Sequence, residues 1–365
     1  MNNILLVKAS NVDDVRLQKY IQTLNNREYN LTFIGWERQK RTEPNENIEL
    51  KYILSGFNSS KLKLLIGYTC WVCCVFFYLL FNYKKYNIVY SVDFESTLPV
   101  YLVSKLFNVQ YIYDIYDEFA IRYNFPEIVK VLLKKIDFQI KKNAIKLIHV
   151  DQNRVDKGDS NYVIIENSPF DFFNGDFITS KFEKQIAVTG LLSSTRGMNE
   201  IYKFALDNKD ITFVLIGEFP GYETDFQIKI KNLENFKIFS KMSQFDVFNE
   251  IRNCSAIMAL YDPDIEINRK AASNKLYDAM MLGIPVISNI GIEMSDFIEK
   301  EKIGLVVDYN YDKNNWQPII DLINSKESLI SISKKSRELY INNYSFYNKV
   351  SKLFSDIINK NTEKG

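Results

Sequence analysis

The residues whose types and spacing best suit chemistry lie in a block that begins at Ser273. Ser273 or Asn274 can cap a short helix, Gly283 suits the C-terminus of that helix, and Pro285 leads into a buried strand. The N-terminus of a helix offers free N–H groups and the positive end of the helix dipole. The block therefore predicts a place where a phosphate can bind.

Charged side chains accompany this predicted helix. Lys275 lies in its first turn beside Leu276, and Asp278 follows one turn along, where a carboxylate can bond the hydroxyls of a ribose. A second basic group comes from an earlier loop, in which Gly190 ends an apolar run and Arg196 stands at another helix start. Because an arginine fork matches a diphosphate, the two blocks together predict a nucleotide site.

Apolar, strand-like runs alternate with helix-like stretches along the chain. The predicted strands are Ile4–Val7, Leu31–Gly35, Ile88–Tyr90, Tyr111–Tyr113, Ile145–Val150, Tyr162–Ile165, Gln185–Thr189, Thr212–Ile216, Phe236–Phe239, Ala256–Ala259, Pro285–Ser288 and Gly304–Val307. Helices such as Val15–Leu24 and Met198–Leu206 fill the gaps, which favours parallel sheets covered by helices. Two such sets predict an α/β chain of two Rossmann-like domains with a boundary near Ser168. The segment from Ser331 to Asn361 reads as helical throughout.

Composition limits the classes of partner. The chain has 365 residues, enough for two domains, and its 46 basic and 45 acidic residues nearly balance. Nucleic acid is not expected as a partner, because it would favour a basic excess. Cys70, Cys73 and Cys74 share one apolar run with no histidine nearby, which favours buried free thiols and is compatible with a reducing cytosol. We expect the N-terminal residues to form a strand, not a signal peptide.

These blocks resemble a known family. Residues 274–288 resemble the nucleotide-sugar signature of family 4 retaining glycosyltransferases, in which a Lys-Leu-Tyr-Glu-Ala-Met-like helix precedes Gly-x-Pro-Val-Ile. Asp278 stands in the glutamate position of that signature. The loop from Gly190 to Gly197 resembles the phosphate loop of the same family, and residues 11–16 resemble its bacterial surface-polysaccharide branch.

The resemblance implies a GT-B architecture, in which two Rossmann-like domains present their parallel sheets to a cleft. It implies an acceptor-side domain at 1–168, a nucleotide-sugar domain at 169–335 and a C-terminal helix at 336–365 that returns to the first domain. The implied donor-binding residues are Gly190, Arg196, Ser273, Asn274, Lys275, Leu276 and Asp278. Arg196 and Lys275 are the implied catalytic residues, because they would stabilise charge on the leaving diphosphate. That diphosphate can take the acceptor proton, so no protein base is required. No metal is expected, because basic residues and the helix dipole replace it, and no separate cofactor is expected.

Three positions depart from the family pattern. Leu191 replaces a second basic residue, Lys270 occupies the place of an upstream glutamate with Glu266 nearby but out of register, and Tyr116 replaces a histidine. A tyrosine hydroxyl is a poor base near neutral pH. These departures keep open a catalytically silent GT-B protein that acts as a binding or assembly partner. A sugar-nucleotide epimerase of the same fold is a third interpretation, although it would need an acid/base set that we cannot assemble.

Acceptor-side candidates follow predicted strands of the first half, because open α/β sheets bind ligands at the carboxyl ends of their strands. They are Asp14, Arg16, Asp93, Tyr116 and Asp117. The single histidine, His149, lies in an apolar strand pattern and is interpreted as a core or cleft-edge residue. One histidine cannot form a multi-histidine metal site.

Residues 64–81 contain no charge and have lysines on both sides. The length is marginal for a membrane span. Predicted strands of one sheet lie before and after this segment, so we expect a crossover helix of the first domain. Its aromatic residues and flanking lysines also suit contact with a membrane surface. A core helix, a core helix with membrane contact, and a true span stay open in that order of preference.

The sequence thus predicts a retaining, hexosyltransferase-type enzyme. It would move a sugar from a nucleotide-diphosphate donor to a saccharide or lipid-linked acceptor during assembly of a capsule, O-antigen or exopolysaccharide. We expect the protein in the cytoplasm, with peripheral contact at the inner face of the cytoplasmic membrane as a further hypothesis. The donor base, the sugar, the acceptor and the linkage stay open.

Overall fold

The computed structural model describes residues 2–25, 29–38, 48–57, 61–117, 119, 125–173, 182–221, 224–269 and 273–362. The chain divides into two compact units: unit 1, Met1–Asn167 with Phe346–Gly365, and unit 2, Ser168–Ser345. Each unit contains a parallel sheet covered by helices, which confirms the predicted α/β chain of two Rossmann-like domains.

In the described part of unit 1, a parallel sheet has seven strands. They are β1 (Asn2–Lys8), β2 (Tyr29–Glu37), β3 (Glu49–Ser55), β4 (Ile88–Val92), β5 (Tyr111–Ile115), β6 (Lys146–His149) and β7 (Tyr162–Ile164). Their spatial order is β3-β2-β1-β4-β5-β6-β7. The central strands β4 and β5 are buried along their whole length, as parallel strands covered on both faces should be. The edge strand β3 is largely half-buried and was not predicted.

Helices cover both faces of this sheet. They are α1 (Val15–Asn25), α2 (Lys61–Asn82), α3 (Asp93–Phe107), α4 (Glu127–Asn143) and the C-terminal helix (Phe346–Thr362). On one face, α2, α3 and α4 bury Trp71, Val103 and Ile140 in a common core with Val89 of β4. On the other face, Tyr90 packs against Tyr20 of α1, because neighbouring residues of a strand point to opposite sides.

The C-terminal helix belongs to unit 1, as predicted. The ring of Phe346 meets that of Tyr20 at 5.1 Å, and Lys349 Nζ lies 2.5 Å from a carboxylate oxygen of Glu166. The helix begins at Phe346, later than the residue 336 taken from the sequence. The preceding residues stay with unit 2, because Arg337 donates to the carbonyl of Met281 at 2.5 Å.

The described part of unit 2 has a six-stranded parallel sheet in the order β10-β9-β8-β11-β12-β13. The strands are β8 (Glu183–Leu191), β9 (Thr212–Glu218), β10 (Phe236–Phe239), β11 (Cys254–Met258), β12 (Val286–Asn289) and β13 (Gly304–Val307). The helices are α5 (Met198–Asp207), α6 (Thr224–Lys231), α7 (Gln244–Ile251), α8 (Glu266–Arg269), α9 (Asn274–Leu282), α10 (Glu293–Glu301), α11 (Gln317–Asn324) and α12 (Lys326–Leu339). A π-helical turn, Tyr340–Tyr344, follows α12 and breaks the continuous helix that the sequence predicted.

One helical stretch in the described part of the chain, Lys63–Lys85, is long and apolar enough to cross a bilayer. It contains most of α2. The inner side of α2 packs on the sheet of unit 1, where Trp71, Val75 and Leu79 are fully buried. The indole of Trp71 stacks on that of Trp36 with the ring centroids 6.5 Å apart. The structure therefore places this segment in the helical layer of unit 1.

Candidate functional site

The loop after β8 has a fixed shape. Ser194–Arg196 form a single 3-10 turn, and Gly197 follows with a left-handed φ of 75°. A Cβ at Gly197 would lie 2.6 Å from the Cβ of Leu260, so the loop needs glycine there. The hydroxyl of Tyr309 donates to the carbonyl of Ser194 at 3.0 Å. These contacts hold Arg196 at the carboxyl end of the sheet, where α/β folds bind ligands.

Arg196 and Lys275 converge on one aromatic ring. The guanidinium carbon of Arg196 lies 4.3 Å from the ring centroid of Tyr261, and Lys275 Nζ lies 5.6 Å from the same centroid. The two predicted cations are thus brought together by a residue that was not predicted. We call Arg196, Tyr261 and Lys275 the cation cluster.

The glycines at the ends of β8 and β9 leave room beside this cluster. Gly190 has a φ of 91°, and a Cβ there would lie 3.8 Å from the Cε of Lys275. A Cβ on Gly217 would overlap the carbonyl oxygen of Gly190. Because neither position has a side chain, the backbones approach closely and the Lys275 side chain passes over Gly190.

The cation cluster has an excess of positive charge. Burial, followed by the charge of Arg196, lowers the pKa of Lys275 to about 8, and the carboxylate of Asp278 acts in the opposite direction. Among the described residues, Arg196 Nη1 is buried with no hydrogen-bond partner. Neither cation forms an ion pair with a carboxylate in the described part of the chain. Two neighbouring cations without an ion-paired carboxylate are the electrostatic pattern of an anion site.

Ser273 caps α9, as the sequence predicted. Its Oγ accepts a hydrogen bond from the backbone N–H of Lys275 at 3.2 Å, and its carbonyl accepts from the N–H of Leu276 at 3.0 Å. Asn274, at the first position of the helix, is exposed. Two N–H groups of the first turn are therefore used inside the cap. The side chains of Arg196 and Lys275 are the stronger candidates for binding an anion here.

Asn289 was not predicted from the sequence and holds the Tyr261 backbone in place. Asn289, at the end of β12, accepts from the N–H of Tyr261 at 2.8 Å and donates to its carbonyl at 3.0 Å. The hydroxyl of Tyr261 donates to Ser273 Oγ at 2.7 Å. This chain of contacts fixes the Tyr261 ring between the loop after β8 and the start of α9. The only sequence signal for Tyr261 is its place directly after the apolar run of β11.

Of the three positions that depart from the family pattern, the two in unit 2 lie at the surface or outside the described residues. Leu191 is half-exposed at the end of β8. Glu266 is exposed in the first position of α8. Lys270 lies outside the residues that the structure describes.

Unit 1 has a separate group of polar side chains at the carboxyl ends of its strands. Asp93, the first residue of α3, has a left-handed φ of 59°. Its Oδ1 accepts from the backbone N–H groups of Tyr116 and Asp117 at 2.9 and 3.2 Å. Burial, followed by the charge of Glu95, raises the pKa of Asp93 to about 7. A buried carboxyl group in a sparsely populated backbone conformation is a functional candidate.

Lys8 joins this group and was not predicted. Its Nζ lies 2.5 Å from a carboxylate oxygen of Asp14 and 4.2 Å from the ring centroid of Tyr116. Asp14 also accepts from the N–H of Leu17 at the start of α1. Asp14, Asp93 and Tyr116 are therefore linked through Lys8 and the loop after β5. Asp117 lies at the exposed edge, 3.6 Å from Arg154.

Arg16 is held inside unit 1. It is 6% exposed, and its Nη2 donates to the carbonyl of Ile165 at 2.9 Å and contacts Asp114 at 3.4 Å. Nη1 donates to Asn167 at 3.0 Å. Because both terminal nitrogens are used within the unit, the structure favours an architectural role for Arg16. His149 is likewise buried, as predicted, with Nε2 2.9 Å from Asp159, and burial lowers its pKa.

Comparison with solved structures identifies the fold. No protein-family profile matches the sequence, and no curated protein matches it. A glycosyltransferase from Rickettsia africae has a TM-score of 0.66 at 15% identity, with 98% of each chain covered. Anabaena HepE in complex with UDP has a TM-score of 0.64 at 12% identity, over 99% of this chain and 100% of that one.

A third structure is similar over a comparable length. WaaG, a glycosyltransferase involved in lipopolysaccharide biosynthesis, has a TM-score of 0.60 at 12% identity over 96% of this chain and 99% of its own. At these identities the similarity establishes architecture. The chain has the GT-B fold of two Rossmann-like domains, and the fold predicted from the sequence is confirmed.

Proposed function

We propose that this chain is a glycosyltransferase that uses a nucleoside-diphosphate sugar. The observation that carries the proposal is the cation cluster of unit 2, in which Arg196 and Lys275 meet on Tyr261 with no carboxylate partner among the described residues. A diphosphate supplies the missing negative charge. Structures of the same fold contain UDP and UDP-glucose, which supports a uridine nucleotide as the first donor to test.

The same two cations serve the chemical step that we propose. When the bond from the anomeric carbon to the diphosphate breaks, negative charge develops on the leaving oxygen. Arg196 and Lys275 are held in place before the reaction, so they stabilise this charge without reorganisation. The departing diphosphate takes the acceptor proton, which is compatible with retention of configuration. Asp278 binds the ribose hydroxyls in this scheme.

The acceptor half of the proposal rests on unit 1. Asp14, Asp93 and Tyr116 lie at the carboxyl ends of parallel strands and offer carboxyl and hydroxyl groups that bind sugar hydroxyls. We propose a saccharide or lipid-linked saccharide as acceptor, and a hexose as the transferred sugar. Assembly of a surface polysaccharide in the cytoplasm is the role that unites these features. The donor is a substrate, and the scheme uses no additional cofactor.

Nucleotide binding tests the proposal first. Thermal shift with UDP, GDP, ADP and dTDP identifies the base, and calorimetric titration then compares the wild type with Arg196→Ala and Lys275→Ala. Loss of one charge-assisted contact, about 1.5–3 kcal/mol, predicts at least about a tenfold loss of affinity for each variant. Lys184→Ala is the matched control, because Lys184 pairs with Asp210 near the opposite end of β8. Equal nucleotide affinities of the wild type and the three variants would show that the cation cluster is not the nucleotide site.

Turnover separates an enzyme from a binding protein of the same fold. The preferred nucleotide sugar is incubated with the protein, and release of the nucleoside diphosphate is followed with and without candidate saccharide acceptors. We expect slow donor hydrolysis that is faster with an acceptor and absent in Arg196→Ala. Tight nucleotide binding with no release under any condition would instead support the silent binding protein.

A further inference from the structure

Exposed apolar side chains concentrate on one helical layer of unit 1. Of the 21 large hydrophobic residues that are exposed in the described part of the chain, 12 lie on α2, α3 and α4. They are Leu65, Ile66, Phe77, Phe81, Leu102, Leu106, Phe107, Ile128, Val129, Val131, Leu132 and Phe138. We call this surface the apolar layer. Its residues come from neighbouring helices that cover the same sheet face, so they lie together on one side of unit 1.

From Ile66 to Phe81, the outer side of α2 is uncharged. Ile66, Thr69, Cys73, Phe77 and Phe81 recur every three or four residues and are all exposed. The prediction of a buried thiol is therefore wrong at Cys73. Phe81 is 79% exposed, and only 28% of the most apolar window of this helix is buried within the chain. A helix of a soluble domain normally presents charged groups on this side. An exposed apolar helix face of this kind is typical of a surface that is buried by a binding partner or a membrane.

The outer side of α4 combines apolar and basic residues. Ile128 and Leu132 are 86% and 57% exposed, and Lys134, Lys135 and Lys142 are exposed on the same helix. Large apolar side chains beside lysines are the composition of helices that lie in a membrane interface. The helix therefore adds positive charge beside the apolar surface of α2 and α3.

The exposed charged residues of these three helices and their ends are mainly basic. Exposed lysines stand at the ends and sides of the three helices: Lys63, Lys84, Lys85, Lys105, Lys134, Lys135 and Lys142. The acids of the same helices are otherwise engaged. Asp93 and Glu95 are buried, Glu127 pairs with Lys130 at 2.7 Å, and Asp137 accepts from the hydroxyl of Tyr113 at 2.8 Å. An apolar surface with a basic border is complementary to an anionic lipid headgroup region.

We propose that unit 1 docks through the apolar layer on the surface of an anionic membrane. The aromatic and aliphatic side chains of α2, α3 and α4 enter the headgroup region, and the lysines contact lipid phosphates. A second copy of the chain fits this surface less well, because a two-fold contact would bring two basic borders together. The docking surface contains no residue of the cation cluster. A negative result for membrane binding would therefore leave the proposed donor site untouched, and a negative result for nucleotide binding would leave the docking proposal untouched.

Vesicle flotation with the full chain and no nucleotide tests the proposal. We expect binding to vesicles that contain phosphatidylglycerol, weak binding to pure phosphatidylcholine, and release of much of the protein at about 0.5 M NaCl, where charges are strongly screened. Phe77→Glu and Ile128→Glu should each reduce the bound fraction by about tenfold, because each places a carboxylate in the headgroup region. Ile228→Glu is the matched control, since Ile228 is 60% exposed in unit 2.

The two test positions lie on different helices, so a folding defect in one variant leaves the other informative. Thermal unfolding of every variant confirms that it is folded. Equal flotation of wild type, Phe77→Glu and Ile128→Glu would overturn the proposal. The proposal would also be overturned if the wild type does not bind anionic vesicles but forms dimers, and if either substitution dissociates those dimers. A second copy of the chain would then cover the apolar layer.

Discussion

The charge state of Lys275 gives the most specific prediction of the proposed function. In the free protein, burial and Arg196 lower the pKa of Lys275 from 10.5 to about 8. At about 1.4 kcal/mol per pKa unit, this difference corresponds to up to about 3.4 kcal/mol that disfavours the charged amine. A bound diphosphate removes that penalty, because it places negative charge beside the amine. Binding should therefore raise the pKa of Lys275 and hold its proton.

Two pH dependences of opposite sign follow. Between pH 8 and 10.5 the unfolded chain keeps the proton on Lys275 and the free folded protein releases it, so the stability of the free protein rises with pH in this range. Nucleotide affinity changes in the other direction. A site with a free pKa of about 8 that stays protonated when occupied loses about tenfold in affinity from pH 7 to pH 9.

The assay is calorimetric titration of UDP at pH 7 and pH 9, in two buffers with different ionisation enthalpies at the higher pH. The wild type should take up a proton on binding at pH 9. Lys275→Met should bind more weakly at pH 7 and lose less affinity on going to pH 9. Because titration of the nucleotide itself is common to both proteins, it cancels in the ratio. Parallel pH profiles of nucleotide affinity for wild type and Lys275→Met would show that Lys275 does not gain a proton on binding.

Three further predictions test other parts of the structure. Tyr261→Ala should weaken nucleotide binding by about 1 kcal/mol, because it removes the ring that both cations contact. Tyr261→Phe keeps the ring and should bind the nucleotide nearly as well as the wild type. Equal losses of affinity in titrations of the two variants would contradict this prediction. Burial raises the pKa of Asp93 to about 7 from 3.8, so the folded protein holds a proton that the unfolded chain releases and stability falls as pH rises between these values. In urea unfolding, the free energy of unfolding of Asp93→Asn should increase by about 2–3 kcal/mol relative to that of the wild type on going from pH 5 to pH 8. A difference between the two proteins that is the same at both pH values would contradict the prediction. Expressed protein should leave membranes in alkaline carbonate because the inner side of α2 packs on the sheet, and retention through that wash would show that the segment spans the bilayer.

The sequence predicts most of the strands of this fold because they are buried on both faces. β4, β5 and β11 read as short apolar runs, which is the pattern of central parallel strands. The edge strand β3 lacks that pattern. Its sequence mixes Glu49 and Lys51 with apolar residues, and it pairs with β2 on one side only. The other edge strands, β7, β10 and β13, were predicted, so the mixed composition of β3 explains why it was missed better than its place at an edge does.

The end of the chain shows a different limit. Residues on both sides of Ser345 favour helix, so a single helix is the natural prediction. Tertiary contacts break it, because Arg337 and Tyr340 are bonded to backbone carbonyls of unit 2 while Phe346 packs on Tyr20 of unit 1. The break lies where the chain passes from one core to the other. Local helix propensity does not show at which residue the chain leaves the core of unit 2 and joins that of unit 1.

The candidate site was partly predictable. Arg196, Ser273 and Lys275 stand in loops and caps whose glycines and helix signals are readable in the sequence. Tyr261 and Asn289 are not, because their roles come from hydrogen bonds between residues far apart in the chain. Arg16 shows the converse, since a loop arginine near a strand end proves to be bonded within unit 1. Residue type and spacing identify candidate site residues. Their packing and hydrogen bonds in the folded chain are needed to assign a role to each of them.

The proposed function depends on binding of a nucleoside diphosphate by the cation cluster. Calorimetric titration of UDP into the wild type, the double variant Arg196→Ala/Lys275→Ala and the control Lys184→Ala tests it most directly. With about 1.5–3 kcal/mol for each charged contact, we expect at least about a hundredfold loss of affinity in the double variant and none in the control. Wild-type affinity in the double variant, or a wild type that binds none of UDP, GDP, ADP and dTDP, would contradict it.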